Sequence, residues 1–207
     1  MGTIQEHELR LACSASFLLP SELLAACRMI CRRMRITDSW YVPANVANSE
    51  SHEQWVAAGN AAPVRIRQCS QEGRTSCQLE VKRLGVPGNL SSAEEVTLDC
   101  TDPRVAHRFL ITAGFTHVVD IVKIRTAYVH ADGIGLSLDD YASARILELE
   151  MRSSARASQP VLDYLRGWAR SHLGEVLREL NEPHVLGVVR AALRAANSEL
   201  DPSSGKD

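Results

Sequence analysis

The stretch Ile4-Gln5-Glu6-His7-Glu8-Leu9-Arg10-Leu11 alternates charged side chains with uncharged or apolar ones. Successive side chains on a strand point to opposite faces, so Glu6, Glu8 and Arg10 share one face and His7, Leu9 and Leu11 the other. The pattern recurs along the chain. Val64-Arg65-Ile66-Arg67 sets Arg65 and Arg67 against Val64 and Ile66. Within 75–83, Glu80 and Lys82 lie opposite Cys77, Leu79 and Val81. Within 116–129, Lys123 and Arg125 lie opposite Val122, Ile124 and Tyr128. Within 145–152, Glu148 and Glu150 lie opposite Leu147, Leu149 and Met151.

Any half-solvated antiparallel strand shows polar-out, apolar-in alternation. Here the pairs are sorted by sign, and like charges two residues apart repel unless opposite charge sits between them. A barrel with its charged faces turned inward supplies that charge. Its lining would hold Arg10, Arg65, Arg67, Lys82, Lys123 and Arg125 against Glu6, Glu8, Glu80, Asp139, Glu148 and Glu150. The planar arginine fork suits phosphate oxygens. Clustered carboxylates suit Mg²⁺ or Mn²⁺.

Composition fits a packed domain. The 207 residues are 45% hydrophobic and 23% charged, which excludes a disordered chain. Lys+Arg at 23 against Asp+Glu at 25 leaves no basic surplus for nucleic acid. No apolar run reaches the ~18–20 residues of a membrane span. MGTIQEHELR has no secretory pattern, so a cytoplasmic location is expected. Six cysteines without a C-x-x-C pair read as reduced, small buried hydrophobes. No two of the seven histidines have H-x-x-x-H spacing, so a histidine-held zinc is not expected. Neither a Walker loop nor a G-x-S-x-G elbow is present.

The remaining elements follow from local signals. Residues 20–34 read as a helix, with Cys27 and Cys31 on one face, and 35–42 as strand. Residues 43–63 are a long connection that would border the site. A hairpin turns at Gln71-Glu72-Gly73 between strands 64–69 and 75–83, a loop covers 84–92, and 95–100 is another strand. Asp102-Pro103 opens a helix that Gly114 closes. Strands 116–129, 134–140 and 145–152 follow, the first two joined at Ala131-Asp132-Gly133. Helices at 159–180 and 182–197 end the chain. The expected class is α+β: an eight-stranded antiparallel β tunnel with flanking helices and a C-terminal helical pair. The tunnel domain is 1–157, the helices packed on it 158–200, and 201–207 a disordered tail.

In order, these motifs resemble the CYTH, or triphosphate tunnel metalloenzyme, superfamily. The resemblance spans residues 4–152. Glu6-His7-Glu8-Leu9-Arg10 is similar to its opening E-x-E-x-K, with Arg10 in place of lysine. Asp38-Ser39-Trp40-Tyr41 is similar to its D-x-x-Y strand, Arg65-Ile66-Arg67 to R-x-R, Lys82 to the next strand's lysine and Lys123-Ile124-Arg125 to K-x-R. Leu138-Asp139 and Glu148-Leu149-Glu150 match the late L-D and closing E-x-E. Ala142-Ser143-Ala144-Arg145 stands where the family has Leu-Gly.

The resemblance implies a metal-dependent triphosphatase, with a class IV-type adenylate cyclase or a non-catalytic polyphosphate binder as alternatives. Arg10, Arg65, Arg67, Lys82, Lys123 and Arg125 would bind substrate. Glu6, Glu8, Asp139, Glu148 and Glu150 would hold Mg²⁺ or Mn²⁺, and Glu6, Glu8, Arg10, Lys82, Glu148 and Glu150 form the expected catalytic set. The partner is a small-molecule triphosphate, with neither nucleic acid nor membrane, and the chain would act as monomer or homodimer.

Overall fold

A computed structural model of the chain describes residues 5–47, 64–84, 92–153, 158–173 and 177–180. The elements are β1 (Gln5–Cys13), α1 (Ser21–Ala25), β2 (Cys27–Pro43), α2 (Ala44–Ala47), β3 (Val64–Gln71), β4 (Arg74–Leu84) and β5 (Ser92–Cys100). After them come α3 (Pro103–Thr112), β6 (Phe115–His130), β7 (Gly135–Asp140), β8 (Arg145–Ser153), α4 (Ser158–His172) and β9 (Arg178–Glu179). The strands form one nine-stranded sheet in the order β5-β4-β3-β2-β6-β7-β8-β1-β9. All of its pairings are antiparallel. The free edge of β1 is shared by two partners. Glu6 and His7 face Ala93 and Ser92 of β5, while Leu11 and Ala12 face Glu179 and Arg178 of β9.

The apolar sides of the strands carry the helices. Leu9 and Leu11 of β1, Leu136 of β7 and Leu147 and Leu149 of β8 bury against Leu162, Leu165, Trp168 and Ala169 of α4. Those α4 positions recur at three and four, the stripe a helix presents to a sheet. On β2–β4, Tyr41, Ile66 and Cys77 bury under Ala106 and Leu110 of α3. The Asp102 side chain accepts the Arg104 N–H at 2.8 Å and caps α3, with Pro103 in the first turn. Gly114, at φ +85°, closes it in the left-handed conformation. The β3–β4 hairpin turns through Glu72 and Gly73, both at positive φ, the geometry of a type I′ turn.

Two expectations are corrected. Residues 20–34 are not one helix: α1 is five residues long, and β2 begins at Cys27. The ladder of β2 with β6 shifts register between Met29 and Cys31 and again between Cys31 and Met34, and Arg33 has φ 52°. Such bulges break the alternation of period two, so the segment mimics helical spacing. Met29 and Ile30 are exposed. The helix expected over 159–180 stops at His172, and Arg178–Glu179 adds a short strand to β1. The expected helix 182–197, the tail 201–207, the connection 48–63 and loop residues 85–91 lie outside the described residues. All six cysteines are free. No described helix is long and apolar enough to cross a membrane.

Candidate active site

Register carries the charged faces onto one side of the sheet. Directly opposed residues in a ladder share a face. The pairs Glu8↔Glu150, Arg10↔Glu148, Arg125↔Asp139, Asp38↔Arg67 and Arg65↔Glu80 therefore place the charges of β1, β8, β6, β7, β2, β3 and β4 on the side away from α3 and α4. Five charges of this face are buried. Asp139 is 0% exposed, Asp38 1%, Glu80 3%, Lys123 4% and Arg10 8%. Charges with so little access to water must be paired, and two networks pair them.

The first network lies on β2–β4. Arg67 donates from Nε and Nη2 to the two oxygens of Asp38 at 2.7 and 2.8 Å, a bidentate fork. Arg65 donates from Nε to Glu80 Oε2 at 2.6 Å. Arg65 Nη1 lies 3.8 Å from Asp38, and Arg67 Nη1 lies 3.5 Å from Glu80, so the four groups form one cluster. The Arg65 guanidinium also sits 5.3 Å over the Trp40 ring. Burial alone would raise the Asp38 carboxyl. The Arg67 hydrogen bonds, with the charges of Arg67, Arg65 and Lys123, instead bring it down to about 2. In the β2–β6 ladder Ile36 stands opposite Lys123 and Asp38 opposite Ile121, so this cluster adjoins the second one.

The second network runs from β6 to β1. Lys123 Nζ donates to Asp139 Oδ2 at 2.5 Å. Arg125 donates from Nε and Nη2 to Asp139 at 2.6 Å each, and its Nη2 reaches Glu148 Oε2 at 2.5 Å. Glu148 Oε1 lies 3.8 Å from Arg10 Nε, and Arg10 pairs with Glu8 on its own strand. Burial pushes the Lys123 ammonium down to about 8, with the like charge of Arg125 adding to it and Glu148 and Asp139 opposing. Burial likewise lowers Arg10, against Glu148 and Glu6. The Tyr141 hydroxyl, 3.5 Å from Lys123 Nζ, is pushed upward by burial and by Glu148 and Asp139.

Among the residues singled out in the sequence, Arg10, Arg65, Arg67, Lys123, Arg125, Asp139 and Glu148 come together in these networks. Glu6, Glu8 and Glu150 continue the same face along β1 and β8. Glu150 is half-buried and accepts from Arg152 Nε at 3.1 Å. Lys82 stands opposite Glu95 in the ladder; its side chain lies outside the described residues. Asp139 spends both oxygens on Lys123 and Arg125, so it organises two cations.

Three lining residues were not assigned a role from the sequence. Asp38 clamps Arg67, Trp40 floors Arg65, and Tyr141 lies beside Lys123, whose Nζ is 5.6 Å from its ring. Alternation from Asp38 to Trp40 could have signalled the first two. Tyr41 instead packs on the α3 side, its hydroxyl 2.8 Å from His107 Nδ1. The buried Trp40 Nε1–H has no hydrogen-bond partner among the described residues.

No family model and no curated protein matches the chain. Solved structures do match over nearly its whole length. The PH1819 protein of Pyrococcus horikoshii OT3 superposes with a TM-score of 0.72 at 16% identity, covering 90% of this chain and 99% of that one. A proposed adenylate cyclase from Vibrio parahaemolyticus gives 0.66 at 12% identity, covering 92% and 99%. HpAC1 from Hippeastrum, a proposed adenylyl cyclase with a dominant triphosphatase activity, gives 0.60 at 17%, covering 91% and 95%. At 12–17% identity these likenesses are of fold, and this chain shares the fold of these proteins, with the charged pairs of its strands on the face away from its helices.

Proposed function

We propose that the protein is a metal-dependent phosphohydrolase that acts on a triphosphate held inside an eight-stranded β tunnel. The observation that carries this reading is the cation set Arg10, Arg65, Arg67, Lys123 and Arg125, none more than 17% exposed, clamped by carboxylates on one face of the sheet. Closure into a tunnel is supported by the β1–β5 pairing, which joins the two ends of the strand order β5 to β1. The shared fold of HpAC1 supports hydrolysis over cyclisation.

The donor set fits a divalent cation. Glu8 and Glu150 stand directly opposite each other, and Glu6 and Glu148 flank them on the same face. Opposed like charges destabilise a sheet, and a divalent ion relieves them with the oxygen ligands that Mg²⁺ and Mn²⁺ prefer. Glu6, Glu8, Glu148 and Glu150 would hold it. When bound, it would neutralise charge on the phosphate chain and polarise the terminal phosphoryl group.

The chain's own residues do the positioning. Arg65 and Arg67 offer guanidinium edges already fixed by Glu80 and Asp38, so little rotamer freedom is lost on gripping phosphate. Lys123 and Arg125 are fixed by Asp139 in the same way. Burial of the face excludes water from the phosphate chain and strengthens each charge-assisted bond. Lys82 would add a further cation. The substrate is inorganic, thiamine or nucleoside triphosphate, and the chain works as monomer or homodimer without nucleic acid or membrane.

Phosphate release measured across these triphosphates with Mg²⁺ and Mn²⁺ tests the reading. Inorganic phosphate is the expected product; where ATP is consumed, chromatography should show ADP. Cyclic AMP with pyrophosphate would replace this reading by the cyclase one.

Lys123 gives the grip a pH dependence. Its ammonium, lowered to about 8, is charged at pH 7 and largely neutral above pH 9. Only the charged form is a charge-assisted donor, worth ~1.5 kcal/mol or more, so triphosphate affinity falls about tenfold from pH 7 to pH 9.5. In Lys123→Met the affinity at pH 7 is already reduced and this part of the pH dependence disappears. Calorimetric titration with inorganic triphosphate at both pH values measures it, and parallel profiles for the two proteins would remove Lys123 from the site.

A further inference from the structure

A second group of ligating side chains lies on the opposite face of β6. Lys123 and Arg125 face the buried charges, whereas His130, an odd number of residues further on, faces α4. His130 ends β6, Asp132 lies in the turn to β7, and His172 ends α4. One ligating atom from each lies within 4.8 Å of the other two. His130 Nδ1 and Asp132 Oδ2 are 3.3 Å apart. That is about the edge of a tetrahedron whose metal–ligand bonds are ~2.0–2.1 Å.

Trp168 holds the arrangement. Its Nε1–H donates to Asp132 Oδ2 at 3.0 Å, which orients the carboxylate. Its carbonyl oxygen, 2.8 Å from His172 Nδ1, can only accept, so Nδ1 carries the proton and Nε2 keeps its lone pair. The indole stacks on the His172 ring at 4.4 Å and meets the His130 ring edge-on at 5.1 Å. His130 Nδ1 accepts the Asp132 backbone N–H at 3.1 Å, so its one lone pair points into the turn, and a cation at Nδ1 takes the place of that N–H. A ring N–H given to a carbonyl, as in His172, and a carboxylate oriented by a donor, as in Asp132, are what metal-ligating histidines and aspartates normally have. His130 is buried, His172 is half-buried, and the Asp132 side chain is 46% exposed, so the trio has one side open to solvent.

We propose that His130, Asp132 and His172 bind a first-row transition-metal cation of the Zn²⁺ class, leaving a fourth position for water. Two imidazoles and one carboxylate favour Zn²⁺, Ni²⁺ or Cu²⁺ over Mg²⁺ and Mn²⁺, so this site and the all-carboxylate set of β1 and β8 select different ions. A bound ion ties the end of α4 to the β6–β7 hairpin, two segments joined otherwise by the Trp168–Asp132 bond and by core packing.

The test is titration of the chelator-stripped full chain with Zn²⁺ in excess Mg²⁺, followed by calorimetry and by imidazole nitrogen NMR. One Zn²⁺ per chain is expected, with the His130 and His172 ring resonances shifting together. At a Zn²⁺ concentration a hundredfold above Kd, the melting temperature should rise by roughly 5–10 °C. His172→Gln and Asp132→Asn should each weaken Zn²⁺ binding at least tenfold, and Trp168→Phe by about 10–100-fold. Asp132→Asn keeps an acceptor for the indole on a half-exposed turn, so it decides the matter should His172→Gln fail to fold. Triphosphate binding should not change in any of them. Absence of Zn²⁺ binding below millimolar concentration, or unchanged affinity in Asp132→Asn, overturns the proposal.

Discussion

Asp139→Ala is expected to lower the melting temperature by roughly 6–20 °C, the largest stability effect of any single change in the buried face. The carboxylate is fully buried and receives Lys123 at 2.5 Å and both Arg125 nitrogens at 2.6 Å. Removing one partner of a buried ion pair strands the others in low dielectric, at about 3–5 kcal/mol. The effect has a pH signature. Lys123 titrates at about 8 in the folded protein against about 10.4 unfolded, and loss of Asp139 lowers the folded value further. Between those values the unfolded chain binds a proton that the folded one does not, so stability rises with pH. The mutant gains this stability from a lower pH than the parent does, so the deficit of Asp139→Ala should shrink as pH rises towards about 8 and hold steady above it, and Lys123→Met in the same chain should recover part of it. Thermal unfolding followed by circular dichroism at several pH values measures this. A melting temperature within about 2 °C of the parent at pH 7 would show that the two cations do not depend on Asp139.

Glu150→Gln should have the opposite profile: little effect on the fold and a large one on turnover. Glu150 stands opposite Glu8, is half-buried, and has Arg152 beside it in an exposed pair of small energetic weight. Neutralising it relieves repulsion between opposed carboxylates, so the melting temperature holds or rises slightly. In the proposed reaction it removes one oxygen ligand of the divalent ion. Loss of a group that stabilises transition-state charge costs about 10²–10³-fold in turnover, and the same drop is expected in metal-dependent phosphate release. Glu148 does not share this profile. Its carboxylate reaches Arg125 at 2.5 Å, so Glu148→Gln costs stability as well as activity. Full phosphate release by Glu150→Gln would take the carboxylate set out of the mechanism.

Much of the architecture was legible in the chain itself. Period-two alternation in Glu6–Arg10, Arg65–Arg67, Lys123–Arg125 and Glu148–Glu150 assigned strands and sorted their faces, because side-chain direction on a strand depends only on parity. The caps Asp102, Pro103 and Gly114, and the turn Glu72-Gly73, were equally local. Parity also reveals its own weakness. Two bulges in residues 27–35 shift the count, and the start of a strand paired along β6 was taken for part of a helix.

Only the tertiary structure decided which charges meet. Asp38 clamps Arg67 from 29 residues away, and Trp168 orients Asp132 from 36 residues away. A sequence gives each of these residues a face but not a partner, because pairing depends on strand order and register between distant segments. The same holds for Asp139. In the sequence it is one more carboxylate suited to a metal. In the fold its register with Arg125 and the reach of Lys123 put both its oxygens on cations, because a buried carboxylate must be paired.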